Sequence, residues 1–114
     1  MATITPVESS LGLNITKITW TGLSTADTAT AVAPAGAVPI CGFVQVTGTF
    51  GGATIVLQGS NDNSNWATLK DLAGTAISLT AAGAADFSTA AAYIRPSSSG
   101  GAADDVNVVV VMRG

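Results

Sequence analysis

Residues with the chemistry for catalysis are scarce in this chain. It contains no histidine and one cysteine, which excludes Ser–His and Cys–His nucleophilic catalysis, histidine-ligated metals and multi-thiolate metal sites. The adjacent carboxylates Asp104 and Asp105 follow the run SSSGGAA, and a tip so rich in glycine and serine does not hold a reaction geometry. We therefore expect both aspartates to face water at a hairpin tip, and we expect the protein not to be an enzyme.

A second polar run, SNDNSN at residues 60–65, places oxygen ligands at short spacing. A calcium loop of the EF-hand type needs further carboxylates and a closing bidentate glutamate, which this run lacks. Asn and Asp tolerate left-handed backbone conformations and hydrogen-bond to nearby backbone groups. The run therefore favours a turn over a metal site, and we expect no metal and no other cofactor.

Three aromatic residues, Trp20, Trp66 and Tyr93, could form a flat platform for a sugar. Aromatic residues make up only 5% of the chain, and side chains of this size are typical anchors of a core or an interface. The residues alone leave both interpretations open.

The chain carries few charges for its length. Charged residues make up 10% of the 114 residues and the net charge is −3, whereas an ordinary soluble domain has about 25% charged residues. A surface of this kind indicates that copies of the chain or another protein cover part of it, although Thr and Ser could also replace charges on an exposed sheet. Nucleic-acid binding is excluded because the basic residues are few and scattered: Lys17, Lys70, Arg95 and Arg113.

No segment predicts secretion or membrane insertion. Residues 1–13 lack the basic start and apolar run of a signal peptide. The uncharged span 28–61 is long enough to cross a bilayer, but Pro34, Pro39 and many glycines make a spanning helix implausible. We expect a soluble protein without a membrane partner.

The single cysteine, Cys41, rules out a disulfide within the chain. Its apolar neighbours Ile40 and Phe43 predict a buried thiol that acts as a small hydrophobic side chain. A disulfide between chains or a reactive thiol is the alternative.

The elements that must position these residues are strands, and the central ones lie within residues 43–69. Residues 43–50 alternate apolar and polar side chains, as a half-buried antiparallel strand does. Gly51 and Gly52 predict a tight turn, because glycine adopts positive φ without strain. Residues 54–58 form the return strand, and the polar turn then leads into a third strand that contains Trp66 and Leu69.

Trp66 and Leu69 present a problem of parity. Three residues apart on one unbroken strand, they point to opposite faces and cannot both enter one core. We expect either a bulge between them or one of them outside the sandwich. Our prediction is that Leu69 enters the core and Trp66 folds over the edge of the hairpin.

Further strands are predicted on both sides of this unit. They comprise residues 14–21, with Ile18 and Trp20 on one face, residues 75–80, with Ile77 and Leu79 inward, and a strand at residues 93–95 that Pro96 soon limits. The Ala-rich residues 81–91 indicate either a helical turn or a connecting loop that packs through Phe87.

Residues 106–112, VNVVVVM, form the most apolar predicted strand. Its valines occupy both parities, so apolar side chains point to both faces. We therefore predict burial on both sides, the second side being covered by a loop of the same chain or by another subunit.

These elements predict an all-β protein, a single antiparallel β-sandwich of jelly-roll or Ig-like type with about seven or eight short strands and little or no helix. Residues 1–13 form an N-terminal arm, either an edge strand or a free segment, because Pro6 removes one backbone donor. Residues 14–114 form the sandwich domain. The long loop at residues 22–38 is a candidate contact segment.

The run VTGTFGGATIVLQGSNDNSNWATL at residues 46–69 resembles a pattern of small virion proteins of tailed bacteriophages. That pattern is a strand, a glycine turn, a second strand, the theme G-S-N-D-G-x-x-W and a strand containing leucine, followed later by an Ile-Arg strand and a Val-rich terminal strand. The likeness covers about residues 43–112, with Asn63 where a glycine is common. Ser60, Asn61, Asp62 and Trp66 also resemble a turn of discoidin-like carbohydrate-binding β-sandwiches.

The phage resemblance implies a capsid decoration (cement) protein, which binds the outer capsid surface of the virion and stabilises contacts between capsomers. The implied partners are the major capsid protein and further copies of this chain, as a dimer or trimer, after synthesis in the host cytoplasm. A tail or head-fibre component and a carbohydrate-binding module are the alternatives. The candidate interface residues are Thr3, Ile4, Val7, Leu11, Leu13, Val32, Trp66, Val109 and Val111.

Overall fold

The protein is all-β, as the alternation of side chains predicts. A computed structural model describes residues 3–12, 15–33 and 40–113, with Ile40 described by its backbone alone, and it contains no helix in these ranges. The strands are β1 (Thr3–Ile4), β2 (Val7–Gly12), β3 (Ile15–Leu23), β4 (Thr28–Ala29), β5 (Ile40–Thr49), β6 (Thr54–Ser60), β7 (Ala67–Thr68), β8 (Ser78–Leu79), β9 (Gly83–Thr89), β10 (Tyr93–Ser99) and β11 (Asp105–Arg113).

The larger of the two sheets that form the sandwich has five antiparallel strands in the order β2-β3-β11-β5-β9. The Val-rich strand β11 lies at its centre, between β3 and β5. Both edges of β11 are therefore paired, and β-branched valine favours a strand in such a position.

The smaller sheet has the order β10-β6-β7. β8 pairs with β6 on the same edge as β7, at Ile55 and Val56. Two short elements attach the N-terminal part of the chain beside it. β1 pairs with β4 in parallel, and Val32 forms an antiparallel bridge with Ile94 of β10. The buried Trp20 indole donates a hydrogen bond of 2.9 Å to the Thr30 carbonyl, which holds the segment after β3 against the domain.

The core lies between the two sheets. The prediction that Ile18 and Trp20 share a buried face is confirmed, and on β11 the row of Val106, Val108, Val110 and Met112 is buried as well. The opposite row, Val109 and Val111, is only half-buried. The prediction that β11 is buried on both faces is therefore confirmed for one face, and the other face is only half-buried.

The glycine turn after β5 forms as predicted, but the predicted hairpin does not, because β5 lies in the five-stranded sheet and β6 in the smaller sheet. Gly51 and Gly52 have φ values of 56° and 83°, and Ala53 donates to the Phe50 carbonyl at 2.8 Å. Positive φ at both central residues is typical of a type I′ turn, and here the turn carries the chain from one sheet of the sandwich to the other.

The parity of Trp66 and Leu69 is resolved without a bulge. β7 pairs in regular register with β6, and the Leu69 amide donates to the Leu57 carbonyl at 2.8 Å. Leu69 is partly buried and packs against the core, as predicted. Trp66 is half-buried on the other side of this sheet.

The prediction of a helical turn or a loop at residues 81–91 is wrong, because β9 occupies Gly83–Thr89. Register along β5 places Phe87 in the core, where it packs across Gly42. A Cβ on Gly42 would lie 2.5 Å from Cζ of Phe87, so the absent side chain makes room for the ring. Alanine by itself favours helix over strand, and pairing with β5 overrides that preference.

Pro96 does not limit its strand, contrary to prediction, since β10 continues to Ser99. The Ile94 amide and carbonyl both bond to Val32, on the side away from β6. N–H groups alternate sides along a strand, so the Pro96 nitrogen also points away from β6, where no ladder donor is needed.

Two smaller predictions are corrected by the structure. The strand predicted at residues 75–80 is shortened to β8, although Ile77 is buried and Leu79 packs on the core. Cys41 is exposed rather than buried, because it lies on β5 with the parity of Phe43 and points away from the core.

No helix of the described part of the chain is long and apolar enough to cross a membrane.

Candidate interaction surface

One face of the five-stranded sheet points away from the core, and we call it the outer face. Side chains that are in register across the strands form its rows. One row contains Val7, Thr19, Val109, Gln45 and Ala84, and the next contains Ser9, Lys17, Val111, Phe43 and Asp86.

The outer face is unusually apolar for a surface open to water. Val7 is 66% exposed, Leu11 56% and Phe43 45%. A shallow depression at one end of the face is lined by Leu11, Phe43 and Val111, and by Leu72 from the segment after β7. Contiguous apolar patches on a protein surface mark contact sites more often than isolated apolar residues do.

Few charges interrupt the outer face. Lys17 on β3 and Asp86 on β9 lie in the same row, on opposite sides of Val111 and Phe43. Both side chains are exposed, and the structure, over the ranges it describes, gives neither an ion-pair partner. Arg113 is the other charge that lines the depression.

The structure brings together four of the predicted interface residues, Val7, Leu11, Val109 and Val111, on this face. The other candidates lie elsewhere. Thr3 and Ile4 form β1, Val32 is buried in the core of its own chain, and Trp66 lies on the other sheet. Leu13 lies outside the described residues.

Sequence reasoning missed two members of the outer face, Phe43 and Leu72. The signal for Phe43 was available, because it alternates with the core residues Val44 and Val46 and must therefore point outward. Leu72 has no such signal. It reaches the depression because its segment pairs with β9, and that pairing is a tertiary contact.

The two edges of the five-stranded sheet differ. The free edge of β9 is partly covered, since Asp71 bridges Phe87 and the Leu72 amide donates to the Asp86 carbonyl at 3.2 Å. Among the strands described, β2 pairs with β3 alone, and all six of its residues are exposed. An open strand edge of this kind offers unpaired backbone groups to another chain.

Trp66 lies on the outward side of the smaller sheet, beneath a cation. The Arg95 guanidinium carbon lies 4.1 Å from the centre of its ring, and Arg95 Nε donates to Gln58 Oε1 at 3.0 Å. Burial lowers the pKa of Arg95 from its ordinary value. A sugar platform needs an open ring face, and here Arg95 occupies one face.

The polar run at residues 60–65 forms a turn that is closed on itself. Asp62 Oδ1 accepts hydrogen bonds from the amides of Asn65 and Ser64 and from the Ser60 hydroxyl, and Asp62 Oδ2 accepts from Asn65 Nδ2 at 2.7 Å. These bonds, led by that from the Asn65 amide, hold the pKa of Asp62 well below its ordinary value. Asn63 adopts a φ of 60°. The carboxylate therefore orders the turn.

Asp104 corrects the prediction that Asp104 and Asp105 both face water at a hairpin tip, since the segment before β11 is a loop between the two sheets. It is only 7% exposed, whereas Asp105 is exposed. Asp104 Oδ2 accepts from the Ser98 hydroxyl at 2.7 Å, the Thr25 amide at 2.8 Å and the Thr25 hydroxyl at 3.0 Å. Burial acts to raise the pKa of Asp104, but the bonds from Ser98 and Thr25 outweigh it and leave that pKa below its ordinary value.

The hydrogen bonds around Asp104 connect distant parts of the chain. The Thr25 hydroxyl also accepts from the Gly101 amide at 2.9 Å, so the segment after β3 is joined to the loop that connects β10 in one sheet to β11 in the other. Over the described ranges, no group of three or more Cys, Asp or Glu side chains is placed to hold a metal ion.

Comparison with known proteins adds no relative. A scan against models of protein families finds none that matches the chain, and a search of curated proteins finds no similar sequence.

Proposed function

We propose that the chain is a structural protein of a bacteriophage virion, which binds the outer surface of the capsid and stabilises contacts between capsomers. The observation that carries this proposal is the outer face, where Val7, Leu11 and Phe43 are exposed beside the half-buried Val109 and Val111. The likeness of residues 46–69 to small virion proteins gives the proposal its context.

The surface chemistry supports assembly with other proteins. Interfaces are depleted in charged residues at their centres, and the outer face carries few charges among its valines and threonines. The open edge of β2 adds a second means of contact, because a neighbouring chain can extend the sheet through backbone hydrogen bonds. We assign the capsid contact to this edge and to the rest of the N-terminal arm.

The partners in this proposal are the major capsid protein and other copies of this chain, on the exterior of the virion. A tail or head-fibre component would use the same surfaces. The carbohydrate-binding alternative is less well supported, because Arg95 covers one face of Trp66 and the polar groups of the 60–65 turn bond to one another.

A sedimentation experiment tests the proposal. The protein is mixed with shells assembled from the major capsid protein encoded in the same genome, and the bound fraction is measured as the protein concentration rises. We expect saturable binding and greater resistance of the decorated shells to heat.

The variant Val7→Asp places a charge on the exposed side of β2 and should weaken shell binding by roughly tenfold or more, because it desolvates a carboxylate in the contact. The control Thr68→Asp adds the same charge to an exposed position of β7 on the other sheet and should bind as the unaltered protein does. Shells that bind no protein at saturating concentration would refute the proposal.

A further inference from the structure

We infer that the outer face pairs with the outer face of a second copy, about a twofold axis that runs along the strands between β11 and β5. This pairing deepens the proposed function, since it names the partner at that face. It follows from the arrangement of charged and apolar side chains within one row of the sheet.

The row reads, from β2 to β9, Ser9, Lys17, Val111, Phe43 and Asp86. In a face-to-face pair, an axis along the strands reverses the order of a row in the second copy. With the axis between β11 and β5, Val111 of each copy meets Phe43 of the other. The same operation places each Lys17 opposite the second copy's Asp86.

The charges of this row cannot satisfy each other within one copy. Lys17 and Asp86 are three strands apart, which corresponds to roughly 14 Å at the usual strand spacing. Across a pair of packed sheets, about 10 Å apart, a lysine side chain reaches a carboxylate that faces it. The twofold arrangement therefore forms two ion pairs between the copies, one on each side of an apolar centre.

The area of the overlap is that of a small, reversible interface. Four strands of the sheet, β3, β11, β5 and β9, overlap in this arrangement. A patch of that width and about seven residues long covers roughly 450 Å² per copy, so the pair buries roughly 900 Å², the size of a weak or transient interface. β2 maps onto the segment around Leu72, which lies beyond β9 of the second copy, and its free edge stays open for the capsid contact.

Charge reversal tests the arrangement. The association of the full chain is measured by sedimentation equilibrium for the unaltered protein, Lys17→Glu and Asp86→Lys. Each single variant sets like charges opposite each other twice per pair, so we expect its dissociation constant to rise roughly 10- to 100-fold. The control Thr68→Glu adds a charge at an exposed position of β7 on the other sheet and should associate normally.

Mixing the two single variants gives the decisive measurement. In a pair made of one Lys17→Glu chain and one Asp86→Lys chain, both facing positions carry opposite charges, so native mass spectrometry should detect a heterodimer with affinity restored to within a few-fold of the unaltered pair. Circular dichroism of each variant checks that it folds.

Cys41 supplies a second readout, because it points outward from β5 next to the axis. A bifunctional thiol reagent that spans about 10 Å, the distance between packed sheets, should link two copies of the unaltered protein and fail to link Lys17→Glu.

A protein that stays monomeric across the concentration series would overturn the inference, as would single variants that dimerise normally or mixed variants that stay apart. A monomer that still binds shells leaves the proposed function standing. A dimer with this pairing that ignores shells refutes the proposed function alone.

Discussion

Two polar turns of this molecule are built around an aspartate that accepts several hydrogen bonds, and they do different work. Asp62 accepts from Ser60, Ser64 and Asn65, all within three residues of it. Asp104 accepts from Ser98 on β10 and from Thr25, which is 79 residues away along the chain. The first aspartate shapes its own turn, and the second joins two segments of the domain.

The difference in burial follows from the difference in partners. Asp62 is exposed, and water can replace the donors that it loses, whereas Asp104 is buried with its donors. Removing a carboxylate from a buried network leaves hydroxyl and amide donors without an acceptor, which costs more than the loss of a solvated bond. The comparison therefore makes quantitative predictions about the two turns.

The largest effect is expected for Asp104→Ala. It deprives Ser98 and Thr25 of their shared acceptor, and the free energy of unfolding should fall by about 3 kcal/mol, since bonds to a charged group contribute about 1.5 to 3 kcal/mol each and do not add fully. Urea unfolding followed by tryptophan fluorescence measures the change. Asp105→Ala, its exposed neighbour, is the matched control and should change stability by less than about 0.5 kcal/mol. Equal effects at the two positions would contradict a tertiary role for Asp104.

The second-largest effect is expected from acid, which should weaken the hydrogen bonds to Asp104. The pKa of Asp104 in the folded protein is lower than the ordinary value of 3.8. Its contribution to stability is therefore fully present above that value and is lost as the pH falls through the lower folded pKa. Urea unfolding between pH 6 and about pH 2 measures the free energy of unfolding, which should fall less steeply with falling pH in Asp104→Asn than in the unaltered protein. A variant with the same acid dependence as the unaltered protein would show that the carboxylate charge is not what the cluster uses.

A smaller effect is expected for Asp62→Ala, because the turn at residues 60–65 is exposed and its amides can bond to water. The midpoint of thermal unfolding should fall by less than it does in Asp104→Ala. Hydrogen exchange should speed up at the amides of Ser64 and Asn65 and stay unchanged at the core strands. A global loss of protection would mean that this turn, too, supports the whole domain.

The smallest effects concern backbone strain in the same two turns. Ala103 has a φ of 56° and Asn63 a φ of 60°. Asparagine tolerates this region better than alanine does, so Ala103→Gly should stabilise the protein by about 0.5 kcal/mol, after the extra entropy of glycine in the unfolded chain is counted. Asn63→Gly is the matched variant and should gain less. Calorimetry of both variants checks the order.

Much of the fold could be predicted from the order of residue types. Alternation in β3, β5 and β11 identifies their inward rows, and Gly51 with Gly52 marks the turn between β5 and β6, although not that these strands lie in different sheets. β9 and the second half of β10 could not be predicted, because alanine-rich and proline-containing segments have no strand preference of their own. These segments become strands when a neighbour offers a register in which Phe87 and Ile94 fill the core.

The candidate site was predicted in part. The two parities of valine in β11 indicate that its outward row meets something apolar, and Val7 and Leu11 were identified as contact residues before their position on the same face was known. The alignment of Lys17 with Asp86 could not be predicted, because it depends on which strands are neighbours. Sequence spacing carries no information on strand order.

The sequence by itself determined the fold class of this protein, since it specifies strands and turns. Those properties depend on neighbours along the chain, where alternation and glycine conformations act. The tertiary structure alone decided which side chains share a surface and that Asp104 is buried while Asp105 is not. Register between distant strands brings such groups together, and it is fixed by the packing of the whole core.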